Sequence, residues 1–339
     1  MELIKRCALV FLAIICNYSG SNPTTEAQTL KIASKIALGV AICAAPCAIH
    51  AQSYIGQGQS GGSSTRFDFS EPKNQAHGTV NVGIALSEGI ILAADSRLTL
   101  ITSQTFPGYM VLSDNNNKVF AVGNFGISTY GEAFLQNRTI SSWVADYSVK
   151  THKPSDDVDA FARRFSDYIN DLYVKQYPEP KDQTRILGFL IAGYDSNGKG
   201  KLLSVEFPAT KTPLESSNTS DKQGAQWRGD TDTIVRLVKG YDPRIGTLAA
   251  WNDIPSAQKD AIAKQENSLE YNIPWNALML QDGVDFATSL VKMTVTFQRF
   301  SFGTVGNAGA IPSVGGAVDV LVVRPTGIEW VKQKSLVSN

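Results

Sequence analysis

Cysteine is missing from most of this 339-residue chain, since all four cysteines lie before residue 48. The rest of the sequence therefore has no thiol nucleophile, no disulfide and no cysteine-based zinc cluster. Histidine is also rare, and only His77 and His152 lie beyond residue 51. A serine–histidine–aspartate triad would have to use one of these two residues. A hydrolase built from this chain otherwise needs another general base, and a free α-amino group with a pKa of about 7.7–8.0 is one.

An excess of charge of either sign is absent as well, because 31 basic residues balance 31 acidic ones. Without a basic field, nucleic acid is not expected as a partner. The chain is 43% hydrophobic and 18% charged, which is ordinary for a globular protein with a sizeable core.

Long hydrophobic runs are lacking too. The apolar runs Cys7–Cys16 and Ile36–Ile49 are shorter than the roughly 17–25 residues of a membrane-spanning helix. The second run follows Lys31 and Lys35 and ends in small residues, a layout typical of a signal peptide. We expect residues 1–51 to be a leader, the protein to be exported to the periplasm or the extracellular space, and no stable membrane insertion after signal removal.

Residues 52–78 are rich in glycine, serine and glutamine and have no periodicity, which predicts a flexible propeptide or linker. The next segment predicts a β-hairpin. Apolar residues alternate over Val80–Leu86, the pattern of a strand with one buried face, and Ile90–Ala94 is a continuous apolar run. A turn over residues 87–89 would place Asp95 opposite Asn81 and Arg97 opposite Thr79.

Several of these motifs occur together in one known family. The pair Gly78-Thr79, followed by the run Gly89–Thr99 with its Asp-Ser-Arg sequence, resembles the start of a mature proteasome β subunit, an N-terminal-nucleophile (Ntn) hydrolase of peptidase T1 type. The segments Ala192–Asp195 and Gly315–Val320 are similar to later parts of the same family. The resemblance implies autocleavage after Gly78, with Thr79 as the nucleophile and its freed amine as the base.

The resemblance implies further site residues. Lys118 would lie beside the nucleophile at the start of a third strand and be held by Asp95, while Arg97 would be structural and pair with acidic neighbours. A glycine-rich turn into a helix would supply the oxyanion hole through backbone N–H groups. The candidates for these N–H donors are Gly126, Ile127, Ser128 and Thr129. The structural alternative for Lys118 is a solvated lysine at the start of a strand. The alternative for the glycine-rich turn is a helix cap, with Ser128 or Thr129 as the N-cap residue.

Two positions depart from the family pattern. Asp230 or Thr231 stands where family members often have a serine that assists the nucleophile. An aspartate usually follows the last helix, and Ser301 would replace part of its hydrogen bonding. This second departure weakens the expectation of activity and leaves the expectation of fold unchanged.

The pattern of elements predicts an α+β fold, a four-layer αββα sandwich of two stacked antiparallel sheets flanked by helices. One helix is predicted over about Tyr130–Val149, and a second opens at residues 155–157. The folded domain would span 79–339, with an insertion around 208–275.

The predicted function is a threonine-type amide hydrolase that acts on a peptide or a small amide, with no cofactor and no metal. One alternative is a non-peptide amidase, since the fold does not fix the substrate. Others are an inactive proteasome-like binding or scaffold protein and a plain secreted binding module. The resemblance also allows a homo-oligomer.

Overall fold

The computed structural model describes residues 74–102, 108–179, 185–301, 303–304, 307–308 and 312–335. The predicted leader, and the predicted linker up to residue 73, lie outside the described residues. Among the described residues, no helix combines the length and the apolar character needed to cross a membrane.

The strands of the described residues are, in chain order, β1 (Asn74–His77), β2 (Val80–Leu86), β3 (Gly89–Ala94), β4 (Leu98–Thr102), β5 (Gly108–Ser113), β6 (Val119–Val122), β7 (Phe125–Gly131), β8 (Phe134–Leu135), β9 (Arg138–Thr139), β10 (Leu187–Tyr194), β11 (Gly200–Phe207), β12 (Thr210–Thr219), β13 (Gly224–Gly229), β14 (Gly303–Thr304), β15 (Asn307–Ala308), β16 (Asp319–Arg324) and β17 (Gly327–Lys332). The α-helices are α1 (Ile140–Lys150), α2 (Val158–Gln176), α3 (Asp232–Lys239), α4 (Ala249–Asn252), α5 (Ser256–Glu266) and α6 (Leu280–Phe300).

Two five-stranded antiparallel sheets form the centre of the fold. Their strand orders are β13-β2-β3-β16-β17 and β12-β11-β10-β7-β6. A separate three-stranded sheet has the order β1-β4-β5. The predicted strands of both hairpin blocks are therefore present, and β13 reaches the first sheet from a part of the sequence that is remote from β2.

The two large sheets pack face to face through a buried layer that includes Ala85, Leu92, Leu190 and Leu321. Helix α6 covers the outer face of the first sheet, where Leu290 and other α6 residues are buried against β2 and β3. Helices α1 and α2 bury their apolar side chains in a cluster with residues of the second sheet. The result is four layers, so the predicted α+β sandwich is confirmed.

The hairpin of β2 and β3 differs from its predicted register by one residue. Leu86 pairs with Gly89, and Asn81 pairs with Ala94. The predicted register was wrong because Gly89 belongs to the strand, which leaves a turn of two residues. Asp95 therefore lies beside the start of β2 rather than opposite Asn81, and the expected pairing of Arg97 with Thr79 does not form.

The predicted glycine-rich turn into a helix was also wrong. Residues 125–131 form strand β7, which pairs with β6 on one side and β10 on the other. The run Ile127–Tyr130 contains β-branched and aromatic residues, which favour a strand. The short strands β8 and β9 follow, and helix α1 begins only at Ile140.

The predicted insertion around 208–275 begins too early in the sequence. Strands β12 and β13 are edge strands of the two large sheets, so residues 210–229 belong to the sandwich. Helix α3 contributes Ile234 and Val238 to the core beneath α6. Residues 241–279 contain no buried residue, and this segment therefore lies on the surface.

Candidate active site

Thr79 lies directly before β2 and is 5% exposed. Its Oγ1 donates a hydrogen bond to the Gly78 carbonyl oxygen at 2.5 Å. The carbonyl of Thr79 accepts a hydrogen bond of 2.8 Å from the backbone N–H of Asp230, next to β13. The hydroxyl is thus fixed beside the carbonyl of the preceding peptide bond.

Gly78 adopts a conformation that residues with a side chain rarely adopt, with φ of +118°. A Cβ atom at this position would lie 2.1 Å from the Ser313 carbonyl oxygen, far inside van der Waals contact. A residue other than glycine would therefore shift the backbone that presents the Gly78 carbonyl to Thr79.

Lys118 immediately precedes β6, and its ammonium group reaches the same carbonyl. Nζ donates to the Gly78 oxygen and to Asp95 Oδ1, the latter at 2.9 Å. The side chain is 2% exposed, and this burial lowers the pKa of Lys118, although contact with Asp95 acts in the opposite direction. The balance favours a lysine that gives up its proton more easily than one in water.

Asp95 is fully buried, and both of its carboxylate oxygens are engaged. Besides Lys118, it accepts hydrogen bonds from the backbone N–H groups of Val80, Arg97 and Gly315, each at 3.0 Å. These donors come from three separate segments of the chain. Asp95 therefore holds the start of β2, the turn after β3 and the loop before β16 together around Lys118.

Arg97 is engaged with a different carboxylate. Its Nε and second terminal nitrogen donate to Asp114 at 2.7 and 3.0 Å, and this contact lowers the pKa of Asp114. Arg97 also donates to the Pro312 carbonyl at 3.4 Å. Its position fits the structural role implied by the resemblance.

The four predicted oxyanion-hole residues, Gly126 to Thr129, lie in the middle of β7. Their N–H groups alternate between the neighbouring strands, and that of Thr129 donates to the Lys118 carbonyl at 2.9 Å. The predicted window is therefore incorrectly placed, because the strand ladder uses these donors.

Gly131, two residues after Thr129, is better placed to supply the donor. Because N–H groups alternate along a strand, the Gly131 N–H points to the same side as that of Thr129, but Gly131 lies beyond the first residue of β6. The next N–H, that of Glu132, points to the opposite side and donates to the Ile186 carbonyl at 2.8 Å. Gly131 also lines both cavities beside Thr79. An N–H group at the end of a strand is available for a ligand.

A second polar cluster adjoins Thr79. The carboxylate of Asp230 accepts hydrogen bonds from Gln298 Nε2 and, at 3.5 Å, from Ser313 Oγ. Gln298 Oε1 in turn accepts the Val314 N–H at 2.8 Å. Burial raises the pKa of Asp230, and the neighbouring charge of Asp232 adds to this.

Ser301 is not part of this cluster. It is exposed, directly after α6, and does not line the cavities at Thr79. Gln298, one helical turn earlier, is partly buried and contacts Asp230 instead. Gln298, Ser313 and Gly131 are site residues that the sequence did not predict. A signal for Gln298 was its place on the α6 face that includes Val291 and Thr294, both buried.

Two cavities of different size adjoin Thr79. A cleft of about 560 Å³ is lined by polar and aromatic residues that include Tyr130, Glu206, Trp227 and Arg228. Tyr130 donates its hydroxyl to Glu206 at 2.8 Å in this cleft. The second cavity, on the Lys118 side, has a volume of only about 10 Å³. The larger open space beside Thr79 therefore lies on the β13 side.

His152 has a different environment from the one a triad requires. Its ring packs against Phe125 and Phe161, with centroid distances of 5.9 and 5.6 Å. It lines neither cavity beside Thr79. The side chain of His77 lies outside the described residues. Within the described part of the chain, no cluster of histidine, cysteine and carboxylate side chains could hold a metal ion.

The stacked sheets, with a threonine before the first central strand, define the fold of the Ntn hydrolases in its proteasome-like form. The model of the family described as "Proteasome subunit" matches residues 75–215. Over this stretch the chain is similar to proteasome subunits, and the resemblance to proteasome β subunits is confirmed. No curated protein matches this sequence.

Solved structures similar to this chain include three Anbu proteins. Anbu from Hyphomicrobium sp. strain MC1 has 12% identity and a TM-score of 0.44, with 75% of this chain and 86% of that chain covered. Anbu, an ancestral beta-subunit, from Yersinia bercovieri has 11% identity and a TM-score of 0.42, covering 76% and 88%. The Anbu complex from Pseudomonas aeruginosa, described as a helical assembly, has 12% identity and a TM-score of 0.41, covering 72% and 81%.

Proposed function

We propose that this protein is a threonine-type amide hydrolase, a peptidase, that activates itself by cleaving the bond between Gly78 and Thr79. The observation that carries the proposal is the placement of one carbonyl: the Gly78 oxygen accepts hydrogen bonds from both Thr79 Oγ1 and Lys118 Nζ. A hydroxyl beside a carbonyl that is already polarised by a buried amine favours nucleophilic attack.

In the first step, Thr79 Oγ attacks the Gly78 carbonyl carbon and forms a new C–O bond. Lys118 donates to the developing oxyanion, and the hydroxyl proton passes to the Thr79 nitrogen as the C–N bond breaks. Water then hydrolyses the resulting ester, which yields the Gly78 carboxylate and a free Thr79 amine. The lowered pKa of Lys118 makes its ammonium group a stronger hydrogen-bond donor to this oxyanion.

In the mature protein, the freed Thr79 amine accepts the proton of its own Oγ, through a water molecule, during attack on a substrate amide. The Gly131 N–H is the proposed oxyanion donor in this step, in place of the four residues of the predicted window. Asp230 donates its backbone N–H to the Thr79 carbonyl at 2.8 Å. Gln298 and Ser313 hold its carboxylate, and we assign Asp230 the role of orienting the amine.

The cleft of about 560 Å³ beside β13 is the proposed substrate site. Hydrolysis of unfolded polypeptides, followed beside hydrolysis of small acyl amides, tests this function in the mature protein and in Thr79→Ala. We expect the wild type to cleave polypeptides and Thr79→Ala to be inactive. Turnover of small amides alone would support the non-peptide amidase, and equal activity in both proteins would contradict the nucleophile.

A catalytically inactive binding or scaffold protein of the same fold is the second candidate. The observation that favours it is that the neutral Gln298 contacts Asp230, whereas the resembling family usually has an aspartate soon after the last helix. An uncleaved Gly78–Thr79 bond in the protein isolated from its native compartment would support this candidate.

Export and self-association complete the proposal. The leader-like segment 1–51 supports secretion to the periplasm or the medium, and cell fractionation with an antibody against the folded domain tests it. Light scattering of the mature protein tests for a homo-oligomer, which the proteasome-like fold allows.

A further inference from the structure

Lys334 follows the last strand, β17, yet its side chain is only 11% exposed. Its backbone N–H donates to Asp319 Oδ1 at 3.0 Å, and its ammonium group contacts Asp319 Oδ2. The same ammonium group donates to Ser96 Oγ at 2.9 Å. A lysine near the end of the described chain thus contacts the turn that follows β3.

Ser96 connects this lysine to the residues around Lys118. Its hydroxyl donates to the Ala317 carbonyl at 2.8 Å, and its N–H donates to the Gly315 carbonyl at 2.9 Å. Gly315 in turn donates its N–H to Asp95 at 3.0 Å. Ser96 is fully buried, so the ammonium group of Lys334 is the charge that fixes this hydroxyl.

We propose that Lys334 is a positioning residue for the Asp95–Lys118 pair, acting through Ser96 and Asp319 to fix the turn after β3 against the loop before β16. This inference rests on the proposed function. The loop also carries Ser313, whose carbonyl packs against Gly78. Lys334 therefore helps to position both the turn after β3 and the loop before β16, which lie around the scissile peptide bond.

The charge of Lys334 adds an electrostatic effect to this contact. The charged groups that act on Lys118 are Asp95, which raises its pKa, and Lys334 and Arg97, which lower it. Removal of the Lys334 charge should therefore raise the pKa of Lys118. If the Lys334 contact only stabilised the fold, its removal would not change the pH dependence of the cleavage rate.

The test follows cleavage at Gly78 by intact mass as a function of pH in the full chain. We expect Lys334→Met to slow cleavage tenfold or more at pH 7 and to move the falling limb of the profile, where Lys118 loses its proton, to higher pH. Lys334→Arg should keep most of the rate. Lys332→Met, an exposed position at the end of β17, is the matched control and should behave as the wild type.

An unchanged rate and pH profile in a folded Lys334→Met protein would overturn the inference. If Lys334→Met does not fold, Ser96→Ala replaces it, because that variant breaks the link and keeps the Lys334–Asp319 pair. Cleavage slowed in Ser96→Ala supports the inference, and cleavage at the wild-type rate overturns it.

A second readout separates this inference from the proposed function. In a Thr79→Ala background, the Lys118 ¹³Cε resonance is titrated with and without Lys334→Met. A pKa raised by Lys334→Met supports the link even if no variant cleaves itself, and an unchanged pKa contradicts it. Absence of cleavage in the wild type would count against the proposed function alone.

Discussion

Asp95 accepts a hydrogen bond from Lys118 at 2.9 Å, and neither side chain has more than 2% of its surface exposed. A buried ion pair contributes little net stability, but removal of one partner leaves the other without its counter-charge in a medium of low polarity. The two partners differ here, because Asp95 accepts three backbone N–H groups in addition to Lys118.

The first prediction ranks two variants of this pair. Asp95→Ala should cost about 3–5 kcal/mol of unfolding free energy, because it orphans Lys118 and three buried N–H groups. Lys118→Met should cost less, because those N–H groups still satisfy the carboxylate. Denaturant unfolding measures both values, and a larger loss in Lys118→Met would contradict the ranking. Neither variant should cleave itself.

The second prediction concerns Gly78→Ala. The new Cβ would approach the Ser313 carbonyl oxygen to 2.1 Å at a φ of +118°, so the backbone must shift and cleavage should slow by at least tenfold. Gly198→Ala is the matched control, because Gly198 has φ of +78° and no atom within 4 Å of the added Cβ. It should lose only about 1–2 kcal/mol of stability and retain normal cleavage. Equal cleavage in both variants would refute the steric argument.

The third prediction is a pH effect at Glu132, which lines the smaller cavity beside Thr79. Burial raises its pKa from 4.5 to about 7, although the guanidinium of Arg185, at 3.3 Å, opposes the shift. Between pH 4.5 and about 7, Glu132 is protonated in the folded chain but has released its proton in the unfolded chain. The free energy of unfolding should therefore fall as pH rises from about 4.5 to 7, by up to about 3 kcal/mol.

Thermal unfolding at a series of pH values measures this effect. Asp230 also has a raised pKa and acts in the same direction, so the comparison with Glu132→Gln isolates the contribution of Glu132. We expect the pH dependence in this window to weaken clearly in Glu132→Gln. An identical slope in the two proteins would show that Glu132 is ionised in the folded state.

The fourth prediction compares Gln298 with Ser301. Gln298→Ala removes a donor to the Asp230 carboxylate and orphans the Val314 N–H, which should cost about 1–3 kcal/mol and slow cleavage. Ser301→Ala changes an exposed residue and should stay within about 0.5 kcal/mol of the wild type. A larger effect of Ser301→Ala on cleavage would restore Ser301 as the supporting residue.

The sequence predicted the layers of the fold because apolar periodicity reports which face of a strand or helix is buried. The predicted hairpin already brought Asp95 close to Thr79, but only the resemblance to proteasome subunits predicted that Lys118 lies beside them. The register of the first hairpin was wrong by one residue, since whether Gly89 extends the strand or widens the turn depends on its pairing with Leu86. The residues around Gly89 in the sequence do not show which of these two arrangements forms.

The remaining errors have a similar origin. Strand β7 is stabilised by β10, more than fifty residues away in sequence, so its glycines read locally as a turn. Along β7 the N–H groups of Gly126–Thr129 are directed at the neighbouring strands, so Gly131, at the end of the strand, is the better candidate for the oxyanion donor. Gln298 and Ser313 meet Asp230 only after three distant segments have packed, and spacing along the chain cannot show this.

Self-cleavage at Gly78 is tested by the intact mass and N-terminal sequence of the protein purified from its native compartment, compared with those of the Thr79→Ala variant. We expect a wild-type chain that begins at Thr79 and a variant that retains Gly78 and the residues before it. A wild-type chain in which Gly78 and Thr79 remain joined, with the same N-terminus as the variant, would contradict this expectation.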